Sequence, residues 1–224
     1  MNHPTTLTVD AYFDLICPWC MIGKKHLATA IEWLTREHPD VAVRIAWRSY
    51  PLIPATPPEG TPYREFYLAR LGGPQAVAAR QAQVCAAALD AGITLALDRI
   101  ETFPSTLLAH RLVRHAVRQA GSDVASALLD ELFTRYFIRA ENIGDPQVLR
   151  RAAAACGIAL RDAGANAGSP DLDWLPSLHD PEDRPLRTGF GVPHLVFNGT
   201  HSVSGARAPA VLLEAMQRAT LAAG

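Results

Sequence analysis

Leu7-Thr-Val-Asp-Ala-Tyr-Phe13 runs directly into Asp14-Leu-Ile-Cys17-Pro18-Trp19-Cys20, and the fold is decided where these two segments meet. The first alternates apolar and polar residues and carries Val, Tyr and Phe, the pattern of a half-buried strand. The second opens a helix. Pro18 suits a first helical position, where no N–H is needed, and Ile22, Leu27, Ala30, Ile31 and Leu34 recur at helical spacing until Pro39 ends the run. Val41 to Trp47 alternates again and reads as a second strand before the Pro-rich stretch Pro51 to Pro62. The opening of the chain is therefore β–α–β, with two cysteines at the strand-to-helix junction.

Beyond it, from Thr61 to about His179, strand patterning almost vanishes. Helical patterns punctuated by Gly and Pro follow: Pro62 to Leu71, Pro74 to Ala91, Ser105 to Ala120, Val124 to Arg139 and Pro146 to Cys156, with shorter turns between Ala159 and Leu178. Asp145-Pro146 is a cap followed by a first-turn proline, and Gly157 is a stop signal. Strand signal returns at His194-Leu-Val-Phe197, Asn198-Gly199 marks a tight hairpin, His201-Ser-Val-Ser204 completes it, and a last helix is expected from Pro209 to Ala222. The expected organisation is an α/β domain built from residues 1–60 and 180–224, interrupted by an all-helical insertion over residues 61–179.

Composition narrows the function classes. With 49% hydrophobic residues, 19% charged residues and a net charge of -1, the chain reads as an ordinary globular protein. A nucleic-acid binder would carry a basic excess, whereas 21 Lys+Arg face 22 Asp+Glu and the longest basic run is Lys24-Lys25-His26. Alanine-rich stretches are broken long before the roughly 20 apolar residues of a membrane span. The N-terminus shows neither the basic nor the apolar region of a secretory signal, so a cytoplasmic protein is expected, with no nucleic-acid or membrane partner. Four cysteines are too few for a disulfide scaffold in so long a chain, and any disulfide in a reducing compartment should be transient.

Cys17 and Cys20 lie three residues apart on the first helical turn, so their sulfurs share a side and a disulfide can close between them. Unpartnered N–H groups and the positive end of the helix dipole favour a thiolate at Cys17. That assigns Cys17 as the exposed nucleophile of low pKa and Cys20 as the buried resolver of a mixed disulfide, with Pro18 and Trp19 tuning the potential and flanking bound substrate. A structural zinc site would need a second pair of ligands, and none is present; metal is not expected. Cys85 and Cys156 stand alone in Ala-rich helical patterns and are expected to pack as small hydrophobes.

Asp14-Leu-Ile-Cys-Pro-Trp-Cys-Met-Ile-Gly-Lys24 resembles the active-site segment of the DsbA-like thioredoxin-fold oxidoreductases, FrnE-like branch. The likeness continues in order through Ala109-His-Arg-Leu, Leu132-Phe-Thr-Arg-Tyr-Phe, Asn142-Ile-Gly-Asp, Gly191-Val-Pro-His-Leu-Val-Phe-Asn-Gly and Val203-Ser-Gly-Ala. It implies a thioredoxin fold with a large all-helical insertion, in agreement with the pattern above. It also implies a cis peptide between Val192 and Pro193, with the Val192 backbone docking substrate and Pro193 keeping metal from the dithiol. X–Pro bonds are cis in only about 5–6% of folded cases, so patterning alone would not have suggested it. No bound cofactor is implied; glutathione is a candidate redox partner, and the substrate is a thiol or disulfide on a polypeptide or a small molecule.

The chain departs from that family where a buried acid often stands six residues before the first cysteine: here that residue is Ala11. Asp14 is open to two readings, assistance to Cys20 deprotonation or a turn and capping group. His194, beside Pro193, is a candidate substrate contact. His110 is a candidate assisting group, as is Lys24, whose place four residues after Cys20 could favour a thiolate or could simply be solvated. Two other functions compete. Glutathione-dependent isomerases and transferases of the hydroxychromene carboxylate and kappa-class types share the architecture but typically carry Ser at the position of Cys17, and a redox-inactive binding module could keep the fold. Substrate identity, electron donor and oligomeric state leave no mark in the sequence.

Overall fold

The computed structural model describes residues 5–160 and 191–221. The chain divides into two compact units, one formed by Met1–Tyr50 with Pro181–Gly224 and the other by Pro51–Asp180.

The first unit opens with strand β1 (Thr5–Phe13), helix α1 (Pro18–Glu37) and strand β2 (Val41–Ser49). β2 runs parallel to β1, from Thr5 opposite Val41 to Phe13 opposite Ser49. Leu7, Val9 and Ala11 project to one face of β1 because side chains alternate along a strand, and all three are buried. They meet Leu27, Ala30 and Leu34, the apolar stripe of α1. Each buried Leu or Val among them contributes roughly 1.5–3 kcal/mol of transfer free energy, which holds α1 on this face. His38 closes the helix by donating its N–H to the Leu34 carbonyl, and Pro39 prevents its continuation.

Two further strands, β5 (His194–Phe197) and β6 (His201–Ser204), extend the sheet. β5 is antiparallel to β1 and to β6, so the order is β2-β1-β5-β6. Their connection is the expected Asn198-Gly199 turn. Both residues have positive φ, 48° and 71°, the pairing a type I′ hairpin demands. Asn198 also binds sideways: its side-chain oxygen accepts from the Thr8 N–H and its amide donates to the Ala219 carbonyl. The hairpin is thereby tied to β1 and to the last helix, α6 (Pro209–Leu221), whose Leu212, Met216 and Ala219 complete the same core.

In the second unit, helices α2 (Tyr63–Leu71), α3 (Pro74–Asp90), α4 (Leu107–Phe137) and α5 (Pro146–Ala155) follow one another. Gly72, in the left-handed region, ends α2. The Asp145 carboxylate caps α5 by accepting from the Gln147 N–H. The two helices expected over Ser105–Ala120 and Val124–Arg139 correspond to one long element broken at Gly121, whose φ of 86° and ψ of 177° are not helical. One feature was absent from the expectation: β3 (Thr61–Pro62) pairs with β4 (Thr102–Phe103) in a two-residue ladder. Gly60 makes that approach possible, since a Cβ there would lie 2.6 Å from Thr102 and 2.8 Å from the Phe103 carbonyl oxygen. Phe103 then stacks on Phe66, with ring centroids 3.5 Å apart. The expected turns after Ala159 fall almost wholly outside the described residues.

Candidate functional site

β1 ends at Phe13, and the next four residues form a tight turn in which the Cys17 N–H donates to the Asp14 carbonyl at 3.2 Å. Cys17 is the N-cap of α1, with φ -95° and ψ 105°, and Pro18 occupies the first turn. The Cys20 N–H donates back to the Cys17 carbonyl at 2.9 Å. This closes the first helical turn around the two sulfurs and leaves Cys17 at the open end. Both thiols are free of disulfide bonds.

The peptide between Val192 and Pro193 is cis. It brings the Val192 carbonyl to the Cys17 thiol, which donates to it at 3.5 Å. Residues 175 positions apart in sequence thus meet at one sulfur. The loop is held on two further sides. Gly205 donates its N–H to the Pro193 carbonyl at 2.8 Å, and the pyrrolidine ring rests against α1 at Gly23, where a Cβ would sit 2.9 Å from Pro193 Cγ. A side chain at position 23 would force either the loop or the helix to shift. Gly23 lies inside the quoted motif, but nothing about its spacing marks it as the seat of a loop so distant in sequence.

Burial separates the two thiols less than expected. Cys20 is 2% exposed, as a resolver should be, but Cys17 retains only 7%. The expectation of an exposed Cys17 is corrected: the residue is buried, and its thiol donates to the Val192 carbonyl. Cys20 is pushed well above the ordinary thiol range, first by burial, then by its hydrogen bond with Cys17 and the charge of that neighbour; the Asp14 backbone lowers it and the Asp14 charge raises it. Two negative charges this close in a dry environment oppose each other.

Asp14 is fully buried at the start of the turn. His194 begins β5 beside Pro193, only 4% exposed. Its Nδ1 lies 2.8 Å from the Ser204 hydroxyl, and its ring is 6.1 Å from that of Tyr12. Burial holds its pKa below the ordinary histidine value. Strand register makes Ser204, His194, Tyr12 and Arg48 one row across the sheet, on the face away from α1. Arg48 pairs with Asp10 on this face at 2.7 Å. Lys24 reaches the opposite side: its ammonium stands 5.4 Å from the centre of the Trp47 ring on β2, a cation–π contact that directs the charge to the sheet edge. Trp19 is half-buried on the first turn of α1. His110 belongs to the second unit, where it is wholly buried in α4. Cys85 and Cys156 are half-buried rather than buried. Among the described residues no cluster of His, Cys, Asp and Glu could hold a metal ion, and no helix is long and apolar enough to cross a membrane.

A nucleophile position at a helix N-terminus, a second thiol one turn in, and a cis-proline loop at the sulfur form a recognisable set. The model of the DSBA-like thioredoxin domain matches residues 8–217. The chain belongs to the DsbA-like thioredoxin family. Its fold is accordingly the thioredoxin-like DsbA fold, a mixed sheet with a helical insertion. Among solved structures, a candidate DsbA oxidoreductase from Streptomyces coelicolor is similar at 23% identity and a TM-score of 0.73, covering 95% of this chain and 89% of that one. A candidate protein disulfide isomerase from Nitrosomonas europaea is similar at 15% identity and 0.58, covering 98% and 100%. A 2-hydroxychromene-2-carboxylate isomerase is similar at 15% identity and 0.57, covering 94% and 95%. No curated protein matches the chain. The DsbA-like family comprises oxidoreductases and isomerases in general, and these identities speak to the fold alone.

Proposed function

We propose that this chain is a thiol–disulfide oxidoreductase that exchanges disulfides through Cys17 and Cys20. The observation that carries the reading is the meeting of the Cys17 thiol with the carbonyl of the cis Val192–Pro193 peptide, at the helix terminus that also carries Cys20. Cys17 attacks a substrate disulfide from the open end of α1, the end at which a helix presents unpartnered N–H groups and the positive end of its dipole. One substrate sulfur leaves as thiolate and the other forms a mixed disulfide with Cys17. Cys20 then attacks Cys17, closing the Cys17–Cys20 disulfide and releasing the second substrate thiolate. The Val192 backbone docks substrate beside the sulfur, with Trp19 and His194 as its neighbours. Within the family we assign the chain to the FrnE-like branch, on the motifs quoted above. A thiol or disulfide on a polypeptide or small molecule is the substrate class, with glutathione as redox partner. We place the reaction in the cytoplasm, a setting with which four free cysteines among the described residues agree.

The test is turnover of a disulfide substrate, such as insulin with a thiol donor, by the native protein, Cys17→Ser and Cys20→Ser. Native turnover with loss in both variants is expected. Native protein with no thiol-dependent turnover would remove the proposal.

A further inference from the structure

Val77, Gln81, Val84 and Ala88 follow one another along α3 at steps of three and four residues, which places them on a single stripe of the helix. The C-terminal half of that stripe is packed: Val84 and Ala88 are the buried residues of α3. The N-terminal half is not. There Val77 and Gln81 line a cavity of about 270 Å³, closed on its other sides by α2 and by the segment around the short 3-10 helix Leu97–Arg99. Protein interiors are close-packed, and a hollow between facing helix stripes forfeits the contacts that hold helices together. The walls are nevertheless firmly set. Tyr63 donates its backbone N–H to the Glu101 carbonyl at 2.8 Å, next to the β3–β4 ladder. Its ring lies 4.7 Å from that of Tyr67, which meets Phe103 edge-on at 6.0 Å. The Tyr63 hydroxyl has Gln81 and Tyr67 as hydrogen-bond partners, so this polar group is satisfied within the wall. The two charges that line the cavity are not satisfied in this way. Arg64 and Asp98 are both exposed, and among the described residues neither has an ion-pair partner. Asp98 also borders a second hollow with Arg99 and Arg139, yet Arg139 pairs with Glu131 instead.

We propose that this cavity of the second unit binds a free α-amino acid with an apolar or aromatic side chain, its carboxylate at Arg64 and its ammonium at Asp98. The pair of charges selects a zwitterion. A ligand with one charge meets one opposite and one like charge, whereas a zwitterion meets opposite charge at both ends. A guanidinium takes a carboxylate through two parallel hydrogen bonds, which also fixes the orientation. The interior selects the side chain: Val77, Leu97 and Ile100 offer apolar surface, and Tyr63 and Tyr67 offer rings against which an aromatic group packs. Volume selects the size. At about 270 Å³ the space lies just under the roughly 300–1,000 Å³ of sites for drug-sized ligands, which suits a single amino acid and is too small for a nucleotide. Binding is non-covalent and stands apart from the exchange chemistry of Cys17 and Cys20.

The experiment is a ligand-observed NMR titration of the full-length protein with L-phenylalanine and L-leucine, and with 3-phenylpropionate and 2-phenylethylamine, which each keep one of the two charges. Saturable binding of L-phenylalanine is expected with a Kd at or below about 1 mM, and each single-charge analogue should bind about tenfold more weakly or worse, the loss of one charge-assisted hydrogen bond. Arg64→Gln should weaken L-phenylalanine by about tenfold without weakening 2-phenylethylamine, and Asp98→Asn should do the same without weakening 3-phenylpropionate. Ala78→Phe, at an exposed position of the lining, should fill the cavity and block all four ligands while the denaturant midpoint stays near that of the native protein. If that variant does not fold, the two substitutions of exposed charges still decide the matter. Absence of saturable binding of both amino acids up to about 10 mM overturns the proposal. So does amino-acid binding that survives Arg64→Gln and Asp98→Asn, or that persists in a folded Ala78→Phe protein. Single-charge analogues that bind as tightly as L-phenylalanine overturn it as well, since the cavity would then take apolar groups without selecting a zwitterion.

Discussion

Cys17 and Cys156 occupy opposite ends of comparable structures. Cys17 is the N-cap of α1 and Cys156 the C-cap of α5. At the first position the helix offers N–H groups and the positive end of its dipole, whereas at the second it offers carbonyl oxygens and the negative end. The neighbours sharpen the difference. Cys17 has a second thiol one turn away and the carbonyl of Val192, from the cis Val192–Pro193 peptide, at 3.5 Å. Cys156 is raised by partial burial first, then by the charge of Glu131, against which Arg135 acts, and no second cysteine accompanies it. On the proposed reading, a thiol acquires redox chemistry from its place in the fold, and the same residue at the other end of a helix is left as a packing group.

The largest effect expected from this contrast is on turnover. Cys17→Ser should lower disulfide exchange by at least about a thousandfold, to background, since the first bond is assigned to Cys17. Cys156→Ser should leave turnover within about twofold. Equal losses would erase the distinction between the two helix ends.

Next in size is chemical reactivity. In proteins that retain one cysteine at a time, alkylation at about pH 6 should be faster at Cys17 than at Cys20 or Cys156 by about tenfold or more. If the Cys20-only protein reacts faster, nucleophile and resolver exchange roles.

A smaller and more local effect is expected at Gly23. Gly23→Ala places a methyl 2.9 Å from Pro193 Cγ, so either the loop or the helix must give way. Overpacking of this kind costs about 1–3 kcal/mol. We expect that loss in denaturant unfolding, together with a roughly tenfold fall in kcat/KM as the Val192 carbonyl withdraws from Cys17. Unchanged activity would mean that contact with the loop is dispensable.

Smallest is the pH dependence contributed by His194. Burial lowers its pKa in the folded state, so the unfolded chain binds more protons between that value and the ordinary one near 6.5. Its contribution to stability is complete above the ordinary value and is lost as the pH falls through the window below it. Denaturant midpoints measured from about pH 7 down to pH 5 should therefore decline less steeply in His194→Gln than in the native protein. A native slope no steeper than that of the variant would contradict the assignment.

These effects also mark what could be read before any coordinates. The strand running into Cys17, the first-turn Pro18 and the Asn198-Gly199 turn are local signals, because each is set by a few adjacent residues and their backbone preferences. The cis bond at Pro193 was accessible only by resemblance, since nothing in an isolated Val-Pro pair distinguishes a cis from a trans peptide. Contacts across the fold left no local trace. Gly23 looked like any helical glycine until Pro193 was found against it. Lys24 shared a helical face with Cys20, yet its charge is drawn to Trp47, a residue whose neighbour could not be known before the register of β2 was. The β3–β4 ladder escaped notice because two residues are too few to show a period.

The central claim is that Cys17 makes the first bond and Cys20 the second. Its most direct test is the covalent state of the protein after one turnover with a disulfide substrate, read by intact mass and peptide mapping. The account predicts that Cys20→Ser accumulates substrate joined to Cys17, while the native protein carries only the Cys17–Cys20 disulfide. Substrate found on Cys20 of a Cys17→Ser protein at the native rate would contradict it, as would a Cys17→Ser protein that keeps full glutathione-dependent isomerisation of a chromene substrate.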